Sequence, residues 1–337
     1  MDFSIFLALA GGLLLLVVGG ELLVRGSVRF AEMLGMSPLL IGLTLVGFGT
    51  STPELVTSVQ AALAGSPGIA VGNIVGSNIA NILLILGLSA MIFPLQVQNS
   101  ALRRDGTLVV GTAVLLSAVS AFWLLDRVVG VAFIAILIAY IFYAYRQEVG
   151  VPAGGEHTAA FEKTRCAEGV APRMDTANTA TKAPSRLATM AIALATALVG
   201  LAIVIVAGSY FVDGAIRLAR SWGISETIIG LTIVAVGTSM PEFVTSVIAA
   251  LRKQSDVALG NILGSNIYNI LGIGGLTALI APTAVPPEIM RFDNLVMVAV
   301  SLALLVFMAT GRRLSRIEGG ALVAGYVLYV FVLWPRG

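Results

Sequence analysis

Long apolar runs recur along almost the whole chain, and they restrict it to one kind of environment. Each run has about 20 residues or more, the length that a helix needs to cross a hydrocarbon core of about 30 Å. Of the 337 residues, 58% are hydrophobic and only 11% are charged, which is not the composition of a water-soluble globular domain. The chain is therefore predicted to be an all-α integral membrane protein, because helices satisfy their backbone hydrogen bonds internally in lipid.

Ten transmembrane helices are predicted from these runs. Their spans are residues 3–24, 37–64, 68–94, 106–125, 127–146, 187–212, 224–251, 256–282, 292–311 and 317–334. Residues 147–186 interrupt the pattern with Gly, Ala, Thr, Pro and mixed charge, and a flexible linker is predicted there. This segment holds the only histidine, His157, and the only cysteine, Cys166. An intrachain disulfide and a Cys/His metal cluster are thereby excluded.

The distribution of Lys and Arg predicts the orientation in the cell membrane. If alternate connections lie on opposite sides, one side receives most of the basic residues, among them Arg103, Arg104 and Arg312. That side, which includes the linker, is expected to be cytoplasmic, with both termini outside. The first run follows Met1-Asp2, without basic residues, and is expected to remain as a helix rather than to be cleaved. The net charge of +2 gives no indication of nucleic acid binding.

The most specific signal in the sequence is an internal repeat. GLTLVGFGTSTPELVTSVQAAL, which begins at Gly42, recurs as GLTIVAVGTSMPEFVTSVIAAL, which begins at Gly230. The same offset of 188 residues carries VGNIVGSNIANILLILG, from Val71, onto LGNILGSNIYNILGIGG, from Leu259. Composition alone does not produce such a correspondence, so the chain is predicted to consist of two copies of one unit.

Counting the spans predicts that the two copies are inverted. Ten spans give five to each copy, and an odd number turns the second copy upside down relative to the first. We predict a first five-helix repeat at 1–146, with its motif at 42–88, and a second at 187–337, with its motif at 230–276. Inverted repeats are typical of secondary transporters, whose sites lie near the membrane midplane where broken helices meet.

Each copy places one carboxylate inside the membrane. Glu54 and Glu242 stand well within hydrophobic spans, where an acid costs a few kcal/mol and usually faces a cavity, a partner or an ion. Each follows a GTSxP element, at residues 49–53 and 237–241. Proline has no N–H and clashes with the preceding turn, so both helices are predicted to break there. The carbonyl groups expected to be released are those near Gly47, Thr50, Ala235 and Thr238.

The donors near the two glutamates suit calcium and sodium. Calcium takes about six to eight oxygen ligands, and two carboxylates with the carbonyls of Thr50 and Thr238 approach that number. One divalent cation or at least two monovalent cations would neutralise the pair, so exchange between these loads is electrostatically natural. Hydroxyl groups that suit sodium are contributed by Ser51, Ser239, Ser77 and Ser265.

The GSNxxN elements add amide groups. Ser77 and Asn81 are four residues apart and share a helix face, as do Ser265 and Asn269, so each pair can line one wall of a cavity. Four further asparagines belong either to the site or to helix packing. They are Asn73, Asn78, Asn261 and Asn266.

The two GTSxPE and two GSNxxN elements, in this order, resemble the alpha-repeats of the calcium/cation antiporter superfamily, in particular its prokaryotic sodium/calcium exchanger branch. The resemblance covers nearly the whole chain and implies ten helices in two inverted halves around four central ion sites. It implies that Glu54 and Glu242 bind both calcium and sodium. It further implies carbonyl ligands from Thr50, Thr238, Gly47 and Ala235, sodium ligands from Ser51, Ser239, Ser77 and Ser265, and closure of the cavity by Asn81 and Asn269.

The resemblance also narrows the choice of the ion that is coupled to calcium transport. Asn269 stands where potassium-dependent relatives carry aspartate, which favours independence from potassium. The chain has GTSxPE where the proton-coupled branch usually has an asparagine-containing element, which favours sodium over protons. The linker is short and weakly acidic, so the large calcium-sensing domains of eukaryotic exchangers are not expected.

The predicted function is therefore antiport of Ca²⁺ against Na⁺ by alternating access, with helices one and six moving against the other eight, as the resemblance implies. A Ca²⁺/H⁺ antiporter and a passive cation channel are the alternatives. An intramembrane hydrolase is disfavoured because no His or Cys lies at membrane depth, and no GxxxxGK[ST] segment suggests an ATP-driven pump. Enzymatic activity, a cofactor and an obligatory protein partner are not expected.

Overall fold

The described part of the chain is almost entirely helical. The computed structural model describes residues 3–34, 47–98, 101–148 and 186–334. Nearly all of the predicted linker at 147–186, and the first part of the predicted span at 37–64, lie outside these residues. The only strands within the described ranges are two residues long and pair with each other.

The elements are numbered in chain order, with π-helical segments labelled separately. Those of the first half are α1 (Phe3–Met33), α2 (Gly47–Gly49), α3 (Thr52–Leu63), α4 (Pro67–Ala80), π1 (Asn81–Leu86), α5 (Gly87–Ile92), β1 (Leu95–Gln96), π2 (Ala101–Gly106), α6 (Thr107–Phe122) and α7 (Arg127–Glu148). Those of the second half are α8 (Arg186–Trp222), α9 (Glu226–Ile229), π3 (Gly230–Val234), α10 (Ala235–Thr238), α11 (Met240–Leu251), α12 (Ser255–Ile267), π4 (Tyr268–Gly274), α13 (Gly275–Ile280), π5 (Ile289–Asp293), α14 (Asn294–Ala309), β2 (Arg313–Leu314) and α15 (Arg316–Leu333).

Eight helices of the described residues are long and apolar enough to cross a bilayer, and the bent pair α9–α10 and α11 makes a ninth if it is counted as one span. Helices α1 and α8 run beyond the predicted ends of their spans, to Met33 and Trp222. An ion pair four positions apart joins the α1 extension to the end of its span, and another, between Asp213 and Arg217, lies within the α8 extension. Arg25 binds Glu21, and such pairs support a helix after its apolar run has ended.

The predicted break at each GTSxP element is present. Helix α2 ends at Gly49 and α3 begins at Thr52, while α10 ends at Thr238 and α11 begins at Met240. Proline occupies the first turn of α3 and of α11, where its missing N–H has no helical partner to lose. The second-half helix bends by 50° at its break.

Glycines bring α1 and α8 into close antiparallel contact. Gly12 lies against Phe211, whereas Gly26, two helical heptads later, lies against Ala197, which precedes Phe211. A Cβ atom on Gly26 would stand 2.4 Å from the Ala197 amide nitrogen. Only hydrogen fits there, so the two backbones touch directly.

The most buried helices are α4 with π1 and α12 with π4. Almost every residue of Pro67–Ala80 and of Ser255–Ile267 is buried, whereas α1, α7 and α8 expose many large apolar side chains. A helix that is buried on all sides lies inside a bundle, and exposed apolar side chains on the outer helices suit contact with lipid. The α4 and α12 helices therefore form the centre.

Two short antiparallel β pairings each join an inter-helix loop of the first half to one of the second half. Leu95 in β1 pairs with Leu314 in β2, and a separate bridge pairs Leu125 with Thr283. Thr283 follows Leu95 by 188 residues, and Leu314 follows Leu125 by 189, so the two contacts correspond to each other under the repeat. A single spanning helix, α6, separates Leu95 from Leu125, which places the two contacts on opposite faces of the bundle.

Candidate ion-binding site

The structure brings the two glutamates of the repeat into one buried site. Glu54 and Glu242 are each 1% exposed and lie in the first turn of α3 and of α11, where a helix N-terminus favours negative charge. Ser51 Oγ donates to Glu242 Oε1 at 3.0 Å, and Ser239 Oγ donates to Glu54 Oε1 at 2.9 Å. Each serine precedes the glutamate of its own helix by three residues, so the crossed bonds place both carboxylates side by side.

Asparagines of the central helices hold the main chain at each glutamate. Asn73 Nδ2 donates to the Glu54 carbonyl oxygen at 3.1 Å, and Asn261 Nδ2 donates to that of Glu242 at 3.2 Å. The same nitrogen of Asn73 contacts Ser58 Oγ at 2.9 Å. Asn73 and Asn261, for which the sequence left both packing and binding open, therefore lie behind the glutamates and fix their position.

Predicted ligands from both halves meet at Asn73. Its Oδ1 accepts hydrogen bonds from Thr238 Oγ1 at 3.0 Å and from Ser77 Oγ at 3.5 Å. Ser77 Oγ also lies 3.4 Å from the Ala235 carbonyl oxygen. That carbonyl accepts from the Ser239 amide at 3.1 Å. The Ser239 N–H thus caps the end of α10 on this carbonyl, which has two lone pairs, and the role of Ala235 as a carbonyl ligand stays a prediction.

The last asparagines of the GSNxxN elements lie at the starts of the two central π-helical segments. Asn81 begins π1 and Asn269 is the second residue of π4, and both are buried. Asn81 Nδ2 donates to Asn266 Oδ1 at 3.0 Å, and Asn266 Nδ2 donates to the Asn78 carbonyl oxygen at 3.3 Å. Within the described ranges, neither side-chain polar atom of Asn269 has a hydrogen-bond partner. A buried amide in that condition suits a ligand-binding position.

The remaining predicted residues lie on the same elements. Gly47 begins α2, Thr50 follows α2 in the turn before α3, and Ser265 is buried in α12. Phe48 packs edge-on against Tyr268, with ring centroids 4.8 Å apart, which brings this turn against the beginning of π4. The predicted set is thus distributed over the two broken helices and the two central helices.

Sequence reasoning did not identify the crossed serine–carboxylate bonds or the π-helical segments. The sequence contains only a weak signal for the π-helical segments. Both π1 and π4 start near the last asparagine of a GSNxxN element, but the apolar residues that follow show no distinctive pattern. Segments of this type occur often at functional sites. Among the described residues no third acidic side chain, histidine or cysteine joins the two glutamates in a cluster.

The fold and the site define a multi-pass membrane protein in which two repeat-related carboxylates are buried between helices. The family model described as sodium/calcium exchanger protein matches residues 4–146 and 192–334, so the chain belongs to this family. The predicted resemblance to the prokaryotic sodium/calcium exchanger branch is thereby confirmed.

Individual relatives cover nearly the full chain. The sodium/calcium exchanger MaX1 of Methanosarcina acetivorans is 36% identical over 354 residues, which is 98% of each chain. The putative antiporter CaxA of Alkalimonas amylolytica is 35% identical over 330 residues, 96% of each chain. The solved structure of the sodium-calcium exchanger NCX_Mj, soaked with 10 mM Na⁺ and zero Ca²⁺, is 28% identical, with a TM-score of 0.60 over 99% of this chain and 100% of that chain.

Proposed function

We propose that this protein is a secondary active antiporter that exchanges Ca²⁺ for Na⁺ across the cell membrane by alternating access, independently of K⁺. The observation that carries the proposal is the pair of crossed bonds from Ser51 to Glu242 and from Ser239 to Glu54. They join two buried acids from separate halves in one place, where a cation can bind both. Membership of the exchanger family and similarity to MaX1, which is named a sodium/calcium exchanger, support the same choice.

The charge of the two carboxylates accounts for exchange between unequal loads. One Ca²⁺ or at least two Na⁺ balance two negative charges, whereas an empty site leaves them uncompensated in a region of low dielectric constant. The change between the inward-open and outward-open states therefore costs the least free energy when the site is fully occupied by cations. The protein exchanges one load for the other and does not return empty.

Each donor has a part in binding the two loads. Glu54 and Glu242 bind both Ca²⁺ and Na⁺. A serine hydroxyl has one hydrogen and two lone pairs, so Ser51 and Ser239 can donate to a carboxylate and bind a cation with the same oxygen. The other proposed ligands are the carbonyl oxygens of Thr50 and Thr238, the hydroxyls of Ser77 and Ser265, and the amides of Asn81 and Asn269.

Ten helices in two inverted halves are part of the proposal. The paired contacts of Leu95 with Leu314 and of Leu125 with Thr283 support it, because the repeat offset relates one contact to the other to within one residue and they lie on opposite faces. The antiparallel contact of α1 with α8 supports it too, since these are the first helices of the two copies. Because α1 and α8 pack on each other as a pair at the edge of the central helices, we propose that they move together to open either side.

The test is calcium uptake into vesicles that contain the purified protein. An outward Na⁺ gradient, at equal pH on both sides and without K⁺, is expected to drive Ca²⁺ accumulation. Glu54→Gln and Glu242→Gln each remove one buried charge and are expected to abolish uptake while the protein still inserts into the membrane. Glu318→Gln, in the partly buried first turn of α15, is the matched control: glutamine keeps the oxygen that accepts from Ser315 in the capping box, and uptake is expected to be retained.

Three outcomes would contradict the proposal. Uptake that follows a pH gradient and ignores Na⁺ would identify a Ca²⁺/H⁺ antiporter. Flux that continues with no counter-ion would identify a channel. Undiminished exchange in both glutamine variants would remove the assigned roles of the two glutamates.

A further inference from the structure

A chain of asparagine side chains links the central helices, and its hydrogen-bond polarity is fixed from one end. Asn266 Nδ2 lies 3.3 Å from the carbonyl oxygen of Asn78. A carbonyl oxygen only accepts hydrogen bonds, so the Asn266 amide nitrogen must face it and Oδ1 must face the other way. There Oδ1 lies 3.0 Å from Asn81, which must therefore present its nitrogen. The oxygen of Asn81 is then the atom that is turned away from Asn266.

This constraint sets the direction in which the oxygen of Asn81 points. Asn81 is completely buried, and within the described part of the chain its Oδ1 has no hydrogen-bond donor. Asn81 stands one helical turn after Ser77, whose hydroxyl contacts Asn73 and the Ala235 carbonyl at the site. A buried acceptor without a donor is unfavourable, and a bound cation removes that cost.

The equivalent residues of the other half are arranged differently. The repeat offset places Asn78 on Asn266 and Asn81 on Asn269. Asn78 Nδ2, however, donates to the Ile74 carbonyl oxygen of its own helix at 2.8 Å. Neither amide atom of Asn269 has a hydrogen-bond partner in the described ranges. Nothing in this chain of asparagines therefore sets which end of the Asn269 amide faces the site.

We propose that Asn266 is a positioning residue, which holds the amide of Asn81 so that its oxygen faces the ion site, and that Asn269 has no such positioning residue among the residues that the structure describes. The inference rests on the proposed function and deepens it. Asn81 is then an oxygen ligand of fixed orientation for either load. Asn269 can turn its oxygen to a cation or its NH₂ group to a carboxylate, so two residues at equivalent positions of the repeat have different roles.

The chain contains its own control for this proposal. Asn266→Ala removes the group that orients Asn81, whereas Asn78→Ala keeps the main-chain oxygen to which Asn266 donates and so leaves the chain of bonds intact. In Na⁺-driven vesicle uptake, Asn266→Ala is expected to raise the KM for Ca²⁺ about tenfold, as loss of a residue that orients a metal ligand commonly does. The maximal rate is expected to change much less. Asn78→Ala is expected to leave the KM unchanged.

Non-additivity separates positioning from general destabilisation. If Asn266 acts through Asn81, the double variant Asn81→Ala with Asn266→Ala has the KM of Asn81→Ala alone. The proposal is overturned if the two single effects multiply, or if Asn266→Ala behaves as Asn78→Ala does. Size-exclusion profiles in detergent check folding, and Asn266→Ser, too short to reach both partners, is expected to show the same rise if the alanine variant does not fold. A wild-type protein that does not exchange Ca²⁺ for Na⁺ would instead refute the proposed function, while the effect of Asn266 could still be read from whichever gradient drives uptake.

Discussion

Ser51 and Ser239 show how single residues tie the two halves together. Each hydroxyl donates to the carboxylate of the opposite half, and a hydrogen bond to a buried charged group contributes about 1.5–3 kcal/mol. Ser239→Ala is expected to weaken binding of both loads, raising the KM for Ca²⁺ and for Na⁺ at least several-fold, because Glu54 loses a donor and the cation loses an oxygen. Initial rates of Na⁺-driven Ca²⁺ uptake at varied concentrations of each ion provide the measurement.

The control for this experiment is Ser89→Ala. Ser89 is also fully buried, but its hydroxyl donates to the Ile85 carbonyl oxygen of its own helix at 2.8 Å and takes no part in the crossed bonds. An equal change in both variants would mean that buried hydroxyls matter here for helix packing and not for the ions.

The pairing of Glu54 with Glu242 could be predicted from the sequence, but most hydrogen-bond partners at the candidate site could not. The repeat matches Glu54 with Glu242, and the cost of an acid in lipid marks both as functional. The repeat also matches Ser51 with Ser239, but in the structure these two serines bind the glutamates of the opposite halves and not each other. The observed bond from Ser51 to Glu242 crosses 191 positions and depends on how broken helices of different halves approach each other. The pattern within either copy does not contain that information.

Elements that depend on local chemistry were predicted more accurately than elements that depend on packing. Proline at positions 53 and 241 acts on its own helix, and both breaks are present. The π-helical segments Asn81–Leu86 and Tyr268–Gly274 were not predicted. A shift to a wider helical turn has no strong residue preference and is selected by the neighbouring helices. The ends of α1 and α8 were placed too early because charged pairs extend a helix beyond its apolar run.

The contact between α1 and α8 is an element-scale feature that can be tested by adding one carbon atom. A Cβ on Gly200 would stand 2.3 Å from the Leu23 amide nitrogen and 2.7 Å from the Gly19 carbonyl oxygen, both of which belong to backbone that cannot turn aside. Gly200→Ala is expected to separate the two helices, lower the melting temperature of the protein in detergent and reduce the rate of exchange. Thermal unfolding followed by size-exclusion chromatography, together with vesicle uptake, measures both effects.

Gly111→Ala on α6 is the matched control for this substitution. A Cβ there meets no atom within 4 Å, and alanine in a helix is about 0.5–1 kcal/mol more favourable than glycine. That variant is expected to be as stable as the wild type or slightly more stable. If Gly200→Ala behaves in the same way, α1 and α8 are not in backbone contact and their joint movement loses its structural basis.

For the whole molecule, the central question is on which face of the membrane each connection lies. The contact of β1 with β2 joins the connection before π2 to the one before α15, and the Leu125–Thr283 bridge joins the connections before α7 and before π5. Helix α6 crosses once between them, so these pairs must lie on opposite faces. The excess of Arg and Lys near Arg103 and Arg313 predicts that the β1–β2 face is cytoplasmic.

Cysteine accessibility tests that assignment without reference to transport. In a background in which the only cysteine, Cys166, is replaced by serine, Ala284→Cys and Arg313→Cys place single thiols at exposed positions on the two faces. A membrane-impermeant maleimide added to intact cells is expected to label residue 284 and not residue 313, and permeabilised cells are expected to label both, which shows that each thiol is reachable. Labelling of residue 313 alone in intact cells would reverse the orientation in the membrane but keep the inverted halves. Labelling of both from outside would place the two connections on one face, and no arrangement in which α6 crosses the bilayer once allows that.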